Sequence, residues 1–104
     1  MTPRRRIIGA ANWSEVLQKA RQHGAEPGLM ARLLNSFGLT VADVVAADGE
    51  RAAELWAAGS AVSLVDRLCL ALGLRLGLPV ITTDSAWPSI AGGPEVVLVR
   101  VRPA

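Results

Sequence analysis

The sequence has one cysteine, Cys69, and one histidine, His23. A lone thiol excludes an internal disulfide and a thiolate zinc cluster, and it fits a reduced, cytoplasmic setting. A lone imidazole excludes a multi-histidine metal site, and without another suitable base a Cys-His nucleophile pair is weakened too. Both residues read as structural. Long apolar runs are also missing. The greasiest stretch, residues 68–81, is interrupted by Arg75 and Pro79 and falls short of the roughly 20 residues that cross a bilayer. Only Ile7, Ile8 and a few small residues lie between the N-terminal charges and Asn12, so the apolar centre of a secretory leader is lacking and no export is expected.

Charge is scarce as well. Charged residues make up 19% of the chain against 51% hydrophobic, which excludes a disordered acidic or basic tail and predicts a folded domain. At 104 residues it is a single domain rather than a two-domain enzyme. A domain this small buries only about two-thirds of its surface, so part of the apolar content is expected at an interface. The net charge of +2 is unevenly spread: Arg4, Arg5, Arg6, Lys19 and Arg21 face only Glu15 in the same segment. Such an end attracts phosphate or simply forms a solvated face.

What is present reads as alternating helices and strands. Asn12 is placed to cap a first helix, with Glu15 in the capping-box position, Trp13, Val16, Leu17 and Ala20 as its apolar side and Gly24 as its stop. Pro27 opens a second helix whose Leu29, Met30, Leu33, Leu34 and Phe37 form a buried stripe, with Met30 and Phe37 in the core and Gly38 at the end. Residues 39–45 read as a strand, followed by a helix opened near Asp48 that carries Ala52, Ala53, Leu55, Trp56 and Ala57. Ser63 caps the most apolar helix, residues 64–76, with Asp66 three positions on and Gly77 at its end; Leu64, Leu68, Leu72 and Leu76, widened by Val65 and Cys69, predict a central or interface helix. Residues 79–83 and 95–101 read as strands, the run from Val96 to Val99 being continuous as where both faces of a sheet are covered. Strands separated by helices predict a parallel sheet and an α/β, three-layer fold.

Three carboxylates stand where chemistry is expected. Glu15 and Asp66 lie in first-turn positions, and Asp84 follows a strand at the end where ligands of such folds bind. One reading is capping, with Glu15 and Asp66 in capping boxes and Asp84 opening a turn. The other is a pocket for Mg²⁺ or Mn²⁺, hard ions that take oxygen ligands and activate water at a phosphodiester, and whose charge offsets the repulsion of grouped carboxylates. Thr82, Thr83 and Ser85 offer hydroxyls to a water or phosphate oxygen, or serve strand packing. Arg67 and Arg75 read as solvated helix positions, with phosphate contact as the alternative. Trp13, Trp56 and Trp87 are too dispersed for a base-stacking platform, and at least two are assigned to the core or a dimer contact.

The run S-L-V-D-R-L-C-L-A-L-G-L-R-L-G-L-P-V-I-T-T-D-S-A-W, residues 63–87, strongly resembles the second half of PIN domains, especially toxins of the virulence-associated VapBC type. N-W-S-E-V-L-Q-K-A, residues 12–20, resembles the helix that carries that family's second acidic residue, and E-V-V-L-V-R resembles its last strand, so the likeness covers about residues 11–101. It implies a PIN-like domain with a mostly parallel sheet, and a small cytoplasmic ribonuclease that uses Mg²⁺ or Mn²⁺, forms homodimers and is inhibited by a cognate antitoxin. By motif, Glu15 resembles the second acidic position, Asp66 the third and principal metal ligand, and Asp84 the fourth, with Thr82 or Thr83 close by. The family's opening, a hydrophobic strand ending in an aspartate and then a helix, has no counterpart here, and none of residues 1–11 is acidic. The expectation is an N-terminally shortened member: a Mg²⁺-dependent endoribonuclease toxin, or alternatively an inactive interaction protein that retains a dimer or antitoxin-binding surface.

Overall fold

The computed structural model describes residues 6–82 and 86–98. Its contacts gather into two compact units, Met1–Asp43 and Val44–Ala104. Both are mixtures of helix with parallel strands, as an α/β fold requires.

In the first unit, β1 (Arg6–Gly9) leads directly into α1 (Ala10–Gln22), followed by α2 (Pro27–Ser36) and β2 (Leu39–Ala42). β1 was not anticipated: its signal is the branched pair Ile7-Ile8, whose strand preference is realised by parallel pairing with β2, Arg6 opposite Leu39 through Gly9 opposite Ala42. This pairing also moves the start of α1. Asn12 does not cap the helix; Gly9 stands at the N-cap, extended and without a side-chain hydrogen bond. Ala10 and Ala11, the best helix formers, extend the helix back to the end of the strand.

The predicted stops hold. Gly24 takes φ +79°, and Ala25 N–H donates to the Ala20 carbonyl at 2.8 Å while Gly24 N–H donates to that of Arg21 at 3.1 Å, a Schellman closure. Arg6 Nη1 donates to the Phe37 carbonyl at 3.1 Å, placing a cation on the C-terminal end of α2. The predicted burial of α2 needs correction. Met30 and Leu34 are half-buried, but Leu29 and Leu33 are exposed and Phe37 is 58% exposed rather than core. The helix spacing correctly puts these residues on neighbouring faces; within this unit only the Met30 and Leu34 side is covered.

The second unit contains α3 (Ala46–Glu54), α4 (Leu64–Leu76), β3 (Val80–Thr82), a single 3-10 turn (Trp87–Ser89) and β4 (Val96–Leu98). β3 and β4 pair in parallel, Val80 opposite Val96 through Thr82 opposite Leu98. α4 has the predicted bounds and both predicted ends: Ser63 Oγ accepts from Asp66 N–H at 3.2 Å, and Gly77 is left-handed at φ 65°. Its buried side centres on Leu70, Ala71, Leu72 and Gly73, whereas Leu64, expected in the stripe, is exposed. Gly73 permits the close approach of α4 to β3, since a Cβ there would stand 2.6 Å from Val80 Cγ1 and 3.1 Å from the Leu78 carbonyl.

Leu55, Val62, Leu70, Val80 and Trp87 form the core of this unit. Trp56, placed in a helix by its sequence pattern, lies beyond the end of α3 and is 63% exposed. Val97 and Leu98 are exposed, so the continuous apolar run is not covered on both sides among the described residues. The last part of the predicted strand, from Val99 on, lies outside them, as do Arg4 and Arg5 of the N-terminal basic run.

Candidate functional site

Asp66 sits in the first turn of α4, the region whose free N–H groups favour a negative charge. Its Oδ2 accepts the Ser63 N–H at 3.4 Å, and its own N–H donates to Ser63 Oγ, so the capping role is real. That role leaves capacity to spare. A carboxylate offers about four lone-pair positions, and one long hydrogen bond engages a single oxygen; Oδ1 has no hydrogen-bond partner among the described residues.

Glu15 fares differently. Because α1 begins at Ala10, Glu15 lies in its second turn, too far in to close a capping box, and no acidic residue occupies the first turn. It is exposed and has neither hydrogen bond nor ion pair among the described residues. The helix gives Glu15 no structural duty. Thr82 closes β3 and is half-buried, while Thr83, Asp84 and Ser85 lie outside the described residues. Asp66 and Thr82 belong to the second unit and Glu15 to the first. Among the described residues, no three Asp, Glu, His or Cys side chains form a group able to hold a metal ion.

Neither arginine of α4 is simply solvated, since each is tied to a partner on α3. Arg75 Nε donates to Asp48 Oδ1 at 2.8 Å and its Nη2 donates to Oδ2 at 3.2 Å, a two-pronged pair. The Asp48 side chain is 3% exposed and that of Arg75 is 35% exposed. Asp48 Oδ2 also accepts the Val45 N–H at 3.1 Å, which caps α3. Burial by itself would raise the Asp48 pKa; the hydrogen bond from Arg75, the Val45 N–H and the Arg75 charge outweigh it and hold the carboxyl below its usual value. Arg67 Nη1 donates to the Ala52 carbonyl at 2.6 Å, and its Nε is buried without a partner.

A cavity of about 260 Å³ opens beside the Asp48–Arg75 pair, lined also by Glu50, Arg51, Glu54 and Leu74. Neither Glu15 nor Asp66 lines it. Cys69 is half-buried, and burial, reinforced by the Asp66 charge, pushes its thiol up to about 11. Both effects favour the neutral thiol over the nucleophilic thiolate. His23 terminates α1.

Among the described residues no helix is long and apolar enough to cross a membrane. The family model for the PIN domain matches residues 3–93, a span that reaches into both compact units. No curated protein and no solved structure matches the chain.

Proposed function

Because the chain belongs to the PIN domain family, we propose that it is a metal-dependent endoribonuclease in which Glu15, Asp66 and Asp84 supply the acidic site. The fold is generally a nuclease fold, its members generally use divalent metal ions, and its nucleases generally bind RNA. The observation that carries the reading is the family match itself, because residues 3–93 include all three carboxylates.

The donor chemistry fits. Each carboxylate is a hard oxygen ligand of the kind Mg²⁺ and Mn²⁺ prefer, Asp66 keeps one oxygen free of its cap, and Glu15 has no competing partner among the described residues. Such an ion, when bound, makes water nucleophilic at neutral pH and offsets the charge developing on a phosphodiester. The chain's own part is to orient the carboxylates. Asp66 is oriented from the rigid first turn of α4, and Thr82 or Thr83 positions a water or phosphate oxygen by hydrogen bonding. Within this reading the two units make one PIN domain, and the protein is the toxin of a VapBC-type pair, cytoplasmic, homodimeric and restrained by an antitoxin.

A second reading is favoured by the exposed apolar residues Leu29, Leu33 and Phe37 of α2. It makes the chain a non-catalytic PIN-like protein that retains a dimer or antitoxin-binding face. Incubation of the purified chain with structured RNA, with Mg²⁺ and with a chelator, separates the two. Cleavage that appears with Mg²⁺ and stops on chelation is expected; RNA left intact under every metal condition would favour the interaction protein.

A further inference from the structure

Arg67 follows Asp66 immediately on α4, and Arg75 lies eight residues beyond it, just over two helical turns away and therefore on the same side. The two arginines hold α3 at opposite ends. Arg75 grips Asp48 in the first turn of α3, and Arg67 reaches the Ala52 carbonyl in its last turn. That carbonyl is one of the four that a helix C-terminus leaves without an internal partner, and the positive guanidinium faces the negative end of the helix dipole. Ala52 is fully buried. Arg67 therefore supplies a hydrogen bond that bulk water does not.

The contact has an unfavourable side. Arg67 Nε is buried and unpaired, which opposes folding. A lysine would bring three N–H donors on a shorter stem to the same single carbonyl, so it offers no better match. An arginine brings a planar, pre-organised fork where lysine brings a flexible point charge.

We infer that Arg67 is a positioning residue: by tying the first turn of α4 to the last turn of α3, it fixes where the adjacent Asp66 carboxylate is presented. This inference rests on the proposed role of Asp66. The Asp48–Arg75 pair secures the far end of the same two helices, so Arg67 is the contact that governs the Asp66 end.

The test compares the full chain with Arg67→Met, Arg67→Lys and Asp66→Asn, following RNA cleavage, Mn²⁺ binding by titration calorimetry and thermal melting. Arg67→Met is expected to lower kcat roughly tenfold or more while leaving KM for RNA within about twofold, because displaced ligands impair chemistry more than substrate capture. Its Mn²⁺ affinity falls in parallel, a readout that a purely stabilising contact does not move. Arg67→Lys is expected to show a kcat between those of wild type and Arg67→Met. Wild-type kcat and Mn²⁺ affinity in Arg67→Met, alongside an inactive Asp66→Asn, would overturn the positioning role and leave the reading of Asp66 standing. An Asp66→Asn protein as active as wild type would overturn that reading itself. If Arg67→Met does not fold, the lysine variant decides: a kcat reduced at unchanged KM upholds the inference, and a kcat equal to wild type defeats it.

Discussion

Asp66→Asn is expected to reduce metal-dependent RNA cleavage by about 100-fold or more without unfolding the protein. The substitution separates the two duties of one side chain. As a cap, Asp66 needs only an oxygen that accepts the Ser63 N–H and a backbone N–H that donates to Ser63 Oγ, and asparagine keeps both. As a ligand it needs negative charge, which asparagine lacks. Ser63→Ala makes the opposite change: it removes the hydroxyl cap at a cost of about 1 kcal/mol while leaving the carboxylate in place. The proposed site therefore predicts a stable but inactive Asp66→Asn protein and a less stable but active Ser63→Ala protein. Circular dichroism melts and cleavage rates measured on both show whether the two effects divide this way. Equal activity in wild type and Asp66→Asn would leave Asp66 a helix cap and nothing more.

The largest effect on stability is expected at Asp48. Asp48→Ala removes a carboxylate that is 3% exposed, leaves Arg75 without its two-pronged partner and uncovers the Val45 N–H at the start of α3. Breaking a buried pair on one side destabilises by about 3–5 kcal/mol, and the partial exposure of Arg75, which water can solvate, moves the expectation to about 2–3 kcal/mol. In a domain of this size that lowers the melting temperature by about 10 °C or more. The effect has a pH signature. The Asp48 pKa is lower in the folded chain than in the unfolded one, so its stabilisation is complete above the ordinary carboxylate pKa and disappears as pH falls through the lower folded value. Wild type and Asp48→Ala should therefore differ most near neutrality and converge below about pH 4. A constant difference across that range would mean that the lost packing, and not the charge pair, accounts for the destabilisation.

The parts of this fold legible from sequence are those encoded by neighbouring residues. α4 is bracketed by Ser63 and Asp66 at one end and Gly77 at the other, signals that act within one turn, and its bounds follow from them. Gly24 ends α1 for the same local reason. Asn12 misled because its capping preference is local, whereas the pairing of Ile7 and Ile8 with β2 is not; the strand fixes Gly9 at the junction and the alanines continue the helix from it. Phe37 misled in another way. Helical spacing tells which residues share a side, not whether anything covers that side.

The candidate site divides along the same line. Motif spacing picks out Glu15, Asp66 and Asp84 by residue type and order, and the family match embraces them. It says nothing of what each one touches. Glu15 lost its capping duty only when the start of α1 was placed, and Asp66 kept its duty with an oxygen to spare. The Asp48–Arg75 pair joins residues 27 positions apart, and no local pattern reports a contact of that span. Asp48 and Arg75 were each visible as ordinary helix residues, and their meaning lay in the packing of α3 against α4.

The central proposal is that Glu15, Asp66 and Asp84 all serve divalent-metal binding, and Mn²⁺ titration of the wild type beside Glu15→Gln, Asp66→Asn and Asp84→Asn tests it without recourse to catalysis. The account predicts saturable binding by the wild type and affinity reduced by about tenfold or more in each variant, since a hard-cation site loses charge with every carboxylate removed. Binding that is undetectable in the wild type, or unchanged by any one of the three substitutions, would contradict it.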